Sequence, residues 1–435
     1  MEIKILYNLI KRLFTSALIF TLVFFILSAI IDIYYFNRVA HKDPGARGQI
    51  CYSDFRVFWR ASRNIYLDIA ENKKLQAGHR TVYDKSQKFY HFRYSPLAAV
   101  IMIPFGMPRY PATGLILWYI TLNLIFLAAL FLLTKRLTRD FNLTIEHRYI
   151  LLWGMFFLML RFYLNNISLG QTDILVAFLF VLFLISYITK KEILSGITFA
   201  LLLQFKLLFL PILVYFFLTR KMKIVASAVI SFAAFLLIPA LLVGWDKNII
   251  LLKEWNGILG MSLPSQILNY KNQSITYAIC SFLLKINFIK ESVMPKYIFY
   301  LFSALFTLAA YAATGFFIKK ESYRNETAGK YIEVSLALVI SLLFSPIVWL
   351  AHFMVLIIPV AVCILFTIKS EKQNILYVFW VIFIVLSCVV GTDFTKFIPV
   401  INKFRFINVT LGTVFIASGM IYAFLTIPPD FKNSA

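Results

Sequence analysis

The stretch Ile193–Leu218, ILSGITFALLLQFKLLFLPILVYFFL, places one lysine and one proline, Lys206 and Pro211, inside an otherwise apolar run. A charged ammonium is costly to keep in hydrocarbon, and such a residue marks a substrate or ion site unless its side chain extends to an interface. Lys206 is roughly 13 positions from either end of the run, which makes that extension difficult. The way this stretch sits in a membrane therefore decides the arrangement of everything around it.

The basic turns around this stretch indicate that it enters the membrane and returns. Lys and Arg in short loops mark the cytoplasmic side. All the basic turns fall on one side only if Ile193–Leu218 goes part-way in and comes back. Each half has roughly 12 residues and a length of roughly 18 Å, too short to cross. We predict a broken helical hairpin with Lys206 near its tip. The turns concerned are TKRLTRD, Lys190–Lys191, TRKMK, KKESYRNETAGK and KSEK.

The composition supports the same setting. The chain has 435 residues, of which 61% are hydrophobic and 14% charged, and its mean hydropathy is +0.80. This is more apolar surface than a soluble fold buries. We predict an all-α polytopic membrane protein with 11–13 transmembrane segments and a short re-entrant piece at Pro96–Pro108. Ten clear spans are Leu13–Phe36, Pro111–Thr134, Arg148–Leu164, Leu169–Thr189, Met222–Gly244, Pro295–Ile318, Tyr331–Val348, Phe353–Ile368, Asn374–Val390 and Phe406–Ile427. The first run lacks a small-residue cleavage site, so we expect it to remain as an anchor.

With the N-terminus (Lys4, Lys11, Arg12) inside, the long polar segments lie on the outer face. We expect one transmembrane domain over residues 1–435, with Asn37–Ser95 and Trp245–Met294 as its main outer loops. The first of these loops holds 12 Lys and Arg against five Asp and Glu. That excess fits either anionic lipid headgroups or an anionic lipid substrate, and both remain open. The other outer segments are Asn165–Asp173, Ser345–His352 and Gly391–Arg405.

Several kinds of chemistry lack support. The four cysteines have no CxxC spacing, and no HExxH, Walker or GxGxxG motif is present, so we expect no metal, no cofactor and no nucleic-acid partner. Cys51 and Cys280 could meet on the outer face, but the sequence does not predict a disulfide between them.

Three ionisable residues are candidates for chemistry. Asp54, in CYSDFRVFWRAS (Cys51–Ser62), either caps a helix that starts at Phe55 or acts as a catalytic acid or base. Lys206 marks a binding site, and His352 is either a hydrogen-bonded structural residue or a ligand. The polar segments Asn165–Asp173 and Asn269–Tyr277 are either solvated loops or part of a pocket.

The order of these motifs resembles glycosyltransferase family 87 over about residues 50 to 365. The likeness rests on Asp54 with FWRAS, GHRTVYD (Gly78–Asp84), FRYSPL (Phe92–Leu97), LGQTDIL (Leu169–Leu175), Lys206 with a following proline, KNQSIT (Lys271–Thr276) and SPIVWLAH (Ser345–His352). The resemblance implies a GT-C fold and a polyprenyl-phosphate sugar donor, usually mannose. By that likeness Asp54 is the general base, and Lys206 and His352 approach the donor phosphate. Gln171, Asn272 and Gln273 shape the pocket, to which we add Asp173, Tyr94 and Trp349.

The sequence departs from the family pattern at two places. Phe209 stands where members often have proline, and Pro211 follows two residues later. Ala351 precedes His352 where many members have a second histidine, and Val348 replaces a common Ser or Thr. These departures affect the number and placement of phosphate ligands.

The chemistry of this residue set is coherent. Transfer of a sugar to a hydroxyl needs a base, and a phosphate leaving group needs positive charge instead of a general acid. We expect a multi-pass protein of a bacterial inner membrane, with the site on the outer side, acting on a polyprenyl-phosphate sugar and a lipid or glycan acceptor among membrane lipids. Asp173 is the reserve candidate for the base. The alternatives are a lipid or polysaccharide transporter or flippase, whose expected matching halves we do not find, and a polysaccharide polymerase or ligase without a carboxylate base.

Overall fold

The computed structural model describes residues 14–40, 54–70, 82–83, 91–261, 269, 271–286, 296–321, 326–370, 372–390 and 407–426. Within these ranges the chain consists of helices and turns, and no strand is present. The all-α prediction is confirmed for this part of the protein. The α-helices are α1 (Ala17–Ala40), α2 (Phe55–Ala70), α3 (Pro96–Ile101), α4 (Ile103–Gly106), α5 (Pro111–Phe141), α6 (Ile145–Leu169), α7 (Asp173–Ile188), α8 (Glu192–Phe205), α9 (Pro211–Leu218), α10 (Met222–Leu237), α11 (Ala240–Val243), α12 (Trp245–Met261), α13 (Ile275–Lys285), α14 (Lys296–Glu321), α15 (Glu326–Phe344), α16 (Ile357–Lys369), α17 (Gln373–Phe383) and α18 (Asn408–Thr426). Leu207–Phe209 and Leu350–Leu356 form 3₁₀ turns, and Ile384–Val389 is a π-helical extension of α17.

Eight helical segments among the described residues are long and apolar enough to cross a membrane. They are Ala17–Arg38, Pro111–Phe141, Ile145–Leu169, Met222–Val243, Tyr300–Glu321, Glu326–Phe344, Leu350–Lys369 and Asn408–Thr426. Four shorter apolar helices, Asp173–Ile188, Glu192–Phe205, Leu207–Leu218 and Gln373–Val389, accompany them in the described part of the chain. The described part of the chain is thus a polytopic helical protein with eight segments of crossing length.

Two of the ten predicted spans differ in their bounds or regularity from the prediction. The predicted span Leu169–Thr189 begins only at Asp173, because α6 continues past Leu164 and ends at Leu169. Gly170 follows with a φ of 65°, a left-handed conformation that terminates the helix. The predicted span Asn374–Val390 is present as Gln373–Val389, in which the α-helix passes into the π-helix.

The stretch around Lys206 has the predicted reversal. Helix α8 ends at Phe205, and Lys206 is extended, with φ −144° and ψ 94°. After the 3₁₀ turn, Pro211 opens α9 at a position where a missing N–H does no harm. Helices α8 and α10 begin side by side, since Ser227 Oγ donates to the Ile193 carbonyl at 2.8 Å. The chain that passes through α8 therefore returns through α9 to the same end.

Both arms of this hairpin contact α7. The ring of Phe183, on α7, is 5.4 Å from the ring of Phe199 on α8 and 5.7 Å from the ring of Phe216 on α9. Phe180 likewise contacts Phe199 at 6.1 Å and Phe209, near the tip, at 4.8 Å. Aromatic contacts along the length of α7 thus hold both arms and the tip.

One end of the bundle carries the basic turns and several ion pairs, and we call it the basic end. Lys190 lies 3.4 Å from Glu326, and the Tyr331 hydroxyl donates to Asp140 at 2.8 Å. These contacts join the turns before α6 and α8 to the start of α15. The buried Glu333 lies on α15 near the same end, where it binds Tyr187, Lys221 and, at 2.8 Å, Tyr215. Within the described residues, these contacts bring together parts of four of the five basic turns, the exception being KSEK.

The predicted re-entrant piece Pro96–Pro108 consists of the two short helices α3 and α4, which support α2. The Arg63 guanidinium, on α2, donates to the carbonyls of Met107 and Pro108 at 3.0 Å each. The Trp59 indole donates to the Pro108 carbonyl at 3.1 Å. These bonds occupy carbonyls that follow the end of α4, where no further helical turn would use them. They fix α2 across the end of the bundle opposite the basic end.

Candidate active site

Asp54 lies directly before α2, and its carboxylate points toward the bundle. The Val57 amide donates to the Asp54 carbonyl at 3.0 Å, so the residue occupies the start of the helix, as the capping interpretation requires. The side-chain NH₂ group of Gln171 donates a hydrogen bond to Asp54 Oδ2. The helix start therefore positions a carboxylate that contacts the turn between α6 and α7.

The turn that carries Gln171 is held rigidly. Gly170 adopts a left-handed conformation, and the backbone N–H of Gln171 donates to the Asn166 carbonyl at 3.0 Å. Such a turn favours glycine, because a Cβ is strained at positive φ. The Trp118 indole donates to the Gly170 carbonyl at 3.1 Å. On the side-chain carboxamide of Gln171, Oε1 accepts a hydrogen bond from the Tyr94 hydroxyl at 3.3 Å. Gln171 thereby presents its NH₂ group to Asp54.

Lys206 is paired inside the protein and does not face lipid. Its Nζ is 3.3 Å from Asp173 Oδ2, and the side chains are 10% and 0% exposed. Asp173 is the first residue of α7, where a negative charge is favoured by the helix dipole. The ammonium also lies 5.4 Å from the centroid of the Tyr94 ring. The predicted enclosed environment of Lys206 is present, with Asp173 as its protein partner.

An aromatic wall surrounds Tyr94. Its ring is 4.7 Å from that of Phe58 on α2 and 5.4 Å from that of Phe92. The Tyr83 hydroxyl donates to the Tyr94 carbonyl at 2.8 Å and Tyr83 packs against Phe92. This wall links the helix that follows Asp54 to the pair formed by Lys206 and its aspartate.

His352 is buried in the 3₁₀ turn that precedes α16. Its Nδ1 accepts a hydrogen bond from the Trp349 amide at 3.1 Å. In a neutral imidazole this leaves the proton on Nε2, so that Nε2 is a donor. Lys206 is close enough to act electrostatically on the imidazole. Nδ1 of His352 thus has the structural role of a hydrogen-bond acceptor within the turn. Nε2 could still bind a ligand.

Asn272 and Gln273 join two segments and line the pocket only indirectly. Asn272 Nδ2 donates to the Pro346 carbonyl at 2.8 Å, and its Oδ1 accepts from the Val348 amide at 2.9 Å. The backbone N–H of Gln273 donates to the Val348 carbonyl at 2.8 Å, and the backbone carbonyl of Gln273 accepts from the Thr410 hydroxyl. The amide side chain of Asn272 is thus engaged in holding the segment that leads to His352.

Burial and the neighbouring polar groups shift the pKa of Asp54 in opposite directions. Burial raises the pKa of the Asp54 carboxyl above its ordinary value, and the hydrogen bond from Gln171 and the positive charges of Lys206, Lys271 and Arg93 counteract that rise. Burial also lowers the pKa of the Arg93 guanidinium, and the negative charge of Asp54 partly offsets this decrease. Arg93 and Lys271 were not among the predicted site residues. Their signal in the sequence was a basic residue inside FRYSPL and inside KNQSIT.

The other acidic residues of the first predicted span and of the first outer loop are engaged elsewhere or lie outside the described residues. Asp32, on α1, accepts from Asn123 on α5 at 2.7 Å, and Asp68 pairs with Lys247 at 3.0 Å. Asp43, Glu71 and Asp84 lie outside the described residues, as do Cys51 and most of the GHRTVYD motif. In the part of the chain that the structure covers, no group of three or more His, Cys, Asp or Glu side chains is arranged to hold a metal ion.

The assembled side chains combine a proton acceptor with a site for an anion. A hydrogen-bonded series runs from Asp54 to Gln171 and on to Tyr94, whose ring lies against the ammonium of Lys206. The imidazole of His352 retains a donor, because its Nδ1 accepts from the Trp349 amide. A buried carboxylate of this kind can take a proton from a hydroxyl, and the cationic groups can stabilise an anionic leaving group.

Comparison with known proteins gives one result that bears on this site. The sequence profile of glycosyltransferase family 87 matches residues 92–346, which is more than half of the chain. No curated protein matches the sequence. Tyr94, Gln171, Lys206 and their neighbours fall inside the matched range, whereas Asp54 and His352 lie outside it. Asp54 is joined to the matched part through its hydrogen bond from Gln171. The protein belongs to glycosyltransferase family 87 and is a membrane glycosyltransferase.

Proposed function

We propose that the protein transfers a hexose, for which mannose is our first choice, from a polyprenyl-phosphate sugar to a hydroxyl of a lipid or glycan acceptor. The observation that carries the proposal is the connected series from Asp54 through Gln171 and Tyr94 to Lys206. It joins a base and an anion site in one enclosed region. A transferase with a phosphate leaving group requires this combination.

In this proposal Asp54 is the general base. Gln171 binds Oδ2 and so fixes the plane of the carboxylate, which leaves Oδ1 for the acceptor hydroxyl. As the hydroxyl oxygen bonds to the anomeric carbon, its proton passes to Asp54 and the bond from that carbon to the phosphate oxygen breaks. The polyprenyl phosphate leaves with the electron pair of that bond. A carboxylate whose pKa is raised by burial is a stronger base for this step than an exposed one.

Lys206 and His352 bind the donor phosphate. Lys206 directs its ammonium toward Asp173 at 3.3 Å, and an ammonium has three protons, so others remain to donate to phosphate oxygens. The Nε2–H of His352 supplies a further donor, because Nδ1 is engaged by Trp349. Positive charge in a water-poor site stabilises the departing oxygens more strongly than it would in water.

The remaining residues hold these groups in place. Asn272 and Gln273 tie down the segment before His352, and Tyr94 and Trp349 supply aromatic surface for the sugar. We propose a GT-C architecture formed by residues 1–435 as one domain, with outer loops 37–95 and 245–294. We further propose a bacterial inner membrane with the site on the outer face. The gathering of basic turns at the end opposite Asp54 supports this orientation.

The test is sugar transfer by the purified protein with several polyprenyl-phosphate sugars as donors. Asp54→Asn should lower turnover roughly a hundred- to ten-thousand-fold and leave donor affinity nearly unchanged. Asp68→Asn is the matched control, because Asp68 lies on the same helix but pairs with Lys247 outside the site. Near-normal turnover of Asp54→Asn would return Asp54 to the role of a helix cap. Lipid movement without product, insensitive to this substitution, would favour the transporter alternative.

A further inference from the structure

The basic end of the bundle carries a shallow groove that the proposed reaction does not use. It has a volume of about 460 Å³ and is lined by Lys190, Lys191, Glu192, Ile193, Leu194, Ile197 and Lys223. We call this set the lysine groove. It lies at the start of α8 and α10, whereas the candidate active site lies at the far end of α8, beyond Phe205.

The groove is apolar toward the membrane. Ile193, Leu194 and Ile197 are 65%, 47% and 37% exposed, although all three are large aliphatic residues. They follow one another at the spacing of a single helical face on the first turns of α8. In a helix of a membrane bundle, such a face contacts acyl chains. One side of the groove therefore fits the upper part of a lipid chain.

The groove is basic toward the water. Its lining has three lysines against one glutamate, and Glu192 lies 3.8 Å from Lys223 with both side chains well exposed. Lys190 is also exposed, and it shares Glu326 with Lys330. The groove thus presents an excess of positive charge beside an aliphatic surface.

The backbone that carries these lysines is fixed. Lys190 has a φ of 60°, and the Lys191 amide donates to the Ser186 carbonyl at 2.9 Å, which closes the turn after α7. Gly196 lets α8 approach α10 closely, since an added Cβ would meet the Ile224 carbonyl at 2.6 Å. This approach places Lys223 beside the turn. The charges are therefore held together by packed helices and not by a loose segment.

We propose that the lysine groove binds the headgroup of an anionic phospholipid, with the phosphate against the lysines and the first part of an acyl chain against the isoleucine and leucine side chains. Charge complementarity favours an anionic headgroup over a zwitterionic one. The exposed aliphatic strip favours a lipid over a soluble phosphate, because only a lipid would cover it. The lining includes no aromatic side chain on which a nucleotide base could stack.

The experiment measures retention of phosphatidylglycerol by the full-length protein, with phosphatidylcholine as the comparison lipid. Native mass spectrometry in detergent counts the bound lipids, and no sugar donor is added, so the result is independent of the proposed transfer reaction. The variant Lys190→Ala, Lys191→Ala, Lys223→Ala should bind phosphatidylglycerol roughly a hundredfold more weakly, at about 1 kcal/mol for each lysine removed. Phosphatidylcholine should bind weakly to both proteins.

The matched control removes three other exposed lysines, Lys135, Lys319 and Lys320, which lie near the basic end but outside the groove. It changes the net charge by the same amount. Its affinity for phosphatidylglycerol should equal that of the unmodified protein. An equal loss in both variants would reduce the effect to overall charge and overturn the proposal. Unchanged binding in the groove variant, or full competition by glycerol 1-phosphate, would also overturn it.

Discussion

The pair formed by Lys206 and Asp173 yields a quantitative prediction about stability. The Nζ and Oδ2 atoms are 3.3 Å apart, and the aspartate is fully buried. At this distance the attraction is about 5 kcal/mol with an effective dielectric constant of about 20. Much of it is offset by the loss of hydration of both charges. The removal of one partner is more costly than the removal of both, because it leaves a buried charge without compensation.

We expect Asp173→Asn and Lys206→Met each to lower the free energy of unfolding by about 3–5 kcal/mol. The double variant should lose less than either single variant, so the coupling energy between the two positions should exceed about 3 kcal/mol. Unfolding is followed by circular dichroism during titration of the detergent-solubilised protein with sodium dodecyl sulfate. The same four proteins enter one double-mutant cycle.

The control pair is Lys190 with Glu326, whose atoms are 3.4 Å apart but whose side chains are 73% and 65% exposed. A cycle with Lys190→Met and Glu326→Gln should give a coupling of about 0–1 kcal/mol, because water screens the pair. Additive effects of the two substitutions at Lys206 and Asp173 would refute the reasoning. So would a coupling equal to that of the exposed pair.

Three further outcomes are expected. The proposed reaction needs ionised Asp54, so activity should fall as the pH drops through its raised pKa. Gln171→Leu should move this acid limb of kcat/KM to higher pH, because a hydrogen bond that favours the charged form is lost. An unmoved limb would contradict the contact. Asn272→Leu should lower the free energy of unfolding by about 1–3 kcal/mol, because the Pro346 carbonyl and the Val348 amide lose their hydrogen-bond partner. An unchanged free energy in the same denaturant titration would contradict the role of Asn272 in holding this segment. Glu333→Gln should cost about 3 kcal/mol or more by leaving Lys221 without its counter-ion, and Glu333→Gln with Lys221→Met should restore most of it.

Much of the fold follows from the apolar runs and the basic turns. Run length is a local property, and the side of a turn follows from its lysines and arginines, so the hairpin around Lys206 was accessible to prediction. The boundary between α6 and α7 was misplaced for the same local reason, because hydropathy does not register the left-handed turn at Gly170. The sequence carried that information only as one glycine among apolar neighbours.

Some members of the candidate site were predictable from the sequence, but Arg93, Lys271 and the pairing of the side chains were not. Asp54, Gln171 and Lys206 were expected in one pocket, and the fold brings them together. Nothing local indicates that Asp173 pairs with Lys206, because 33 positions separate the two residues and the contact arises from the docking of the hairpin tip against α7. The role of Asn272 as a clamp likewise depends on where the segment before His352 packs.

Helix α7 contacts both arms of the hairpin as well as its tip. Phe183 packs against Phe199 on one arm and Phe216 on the other, and Lys206 at the tip is paired with Asp173, the first residue of α7. The position of the Lys206 ammonium therefore depends on the packing of the whole of α7, and not only on the residues that precede and follow Lys206 in the sequence. A substitution at Phe183, far along the helix from Asp173, should for this reason also disturb the pair formed by Lys206 and Asp173.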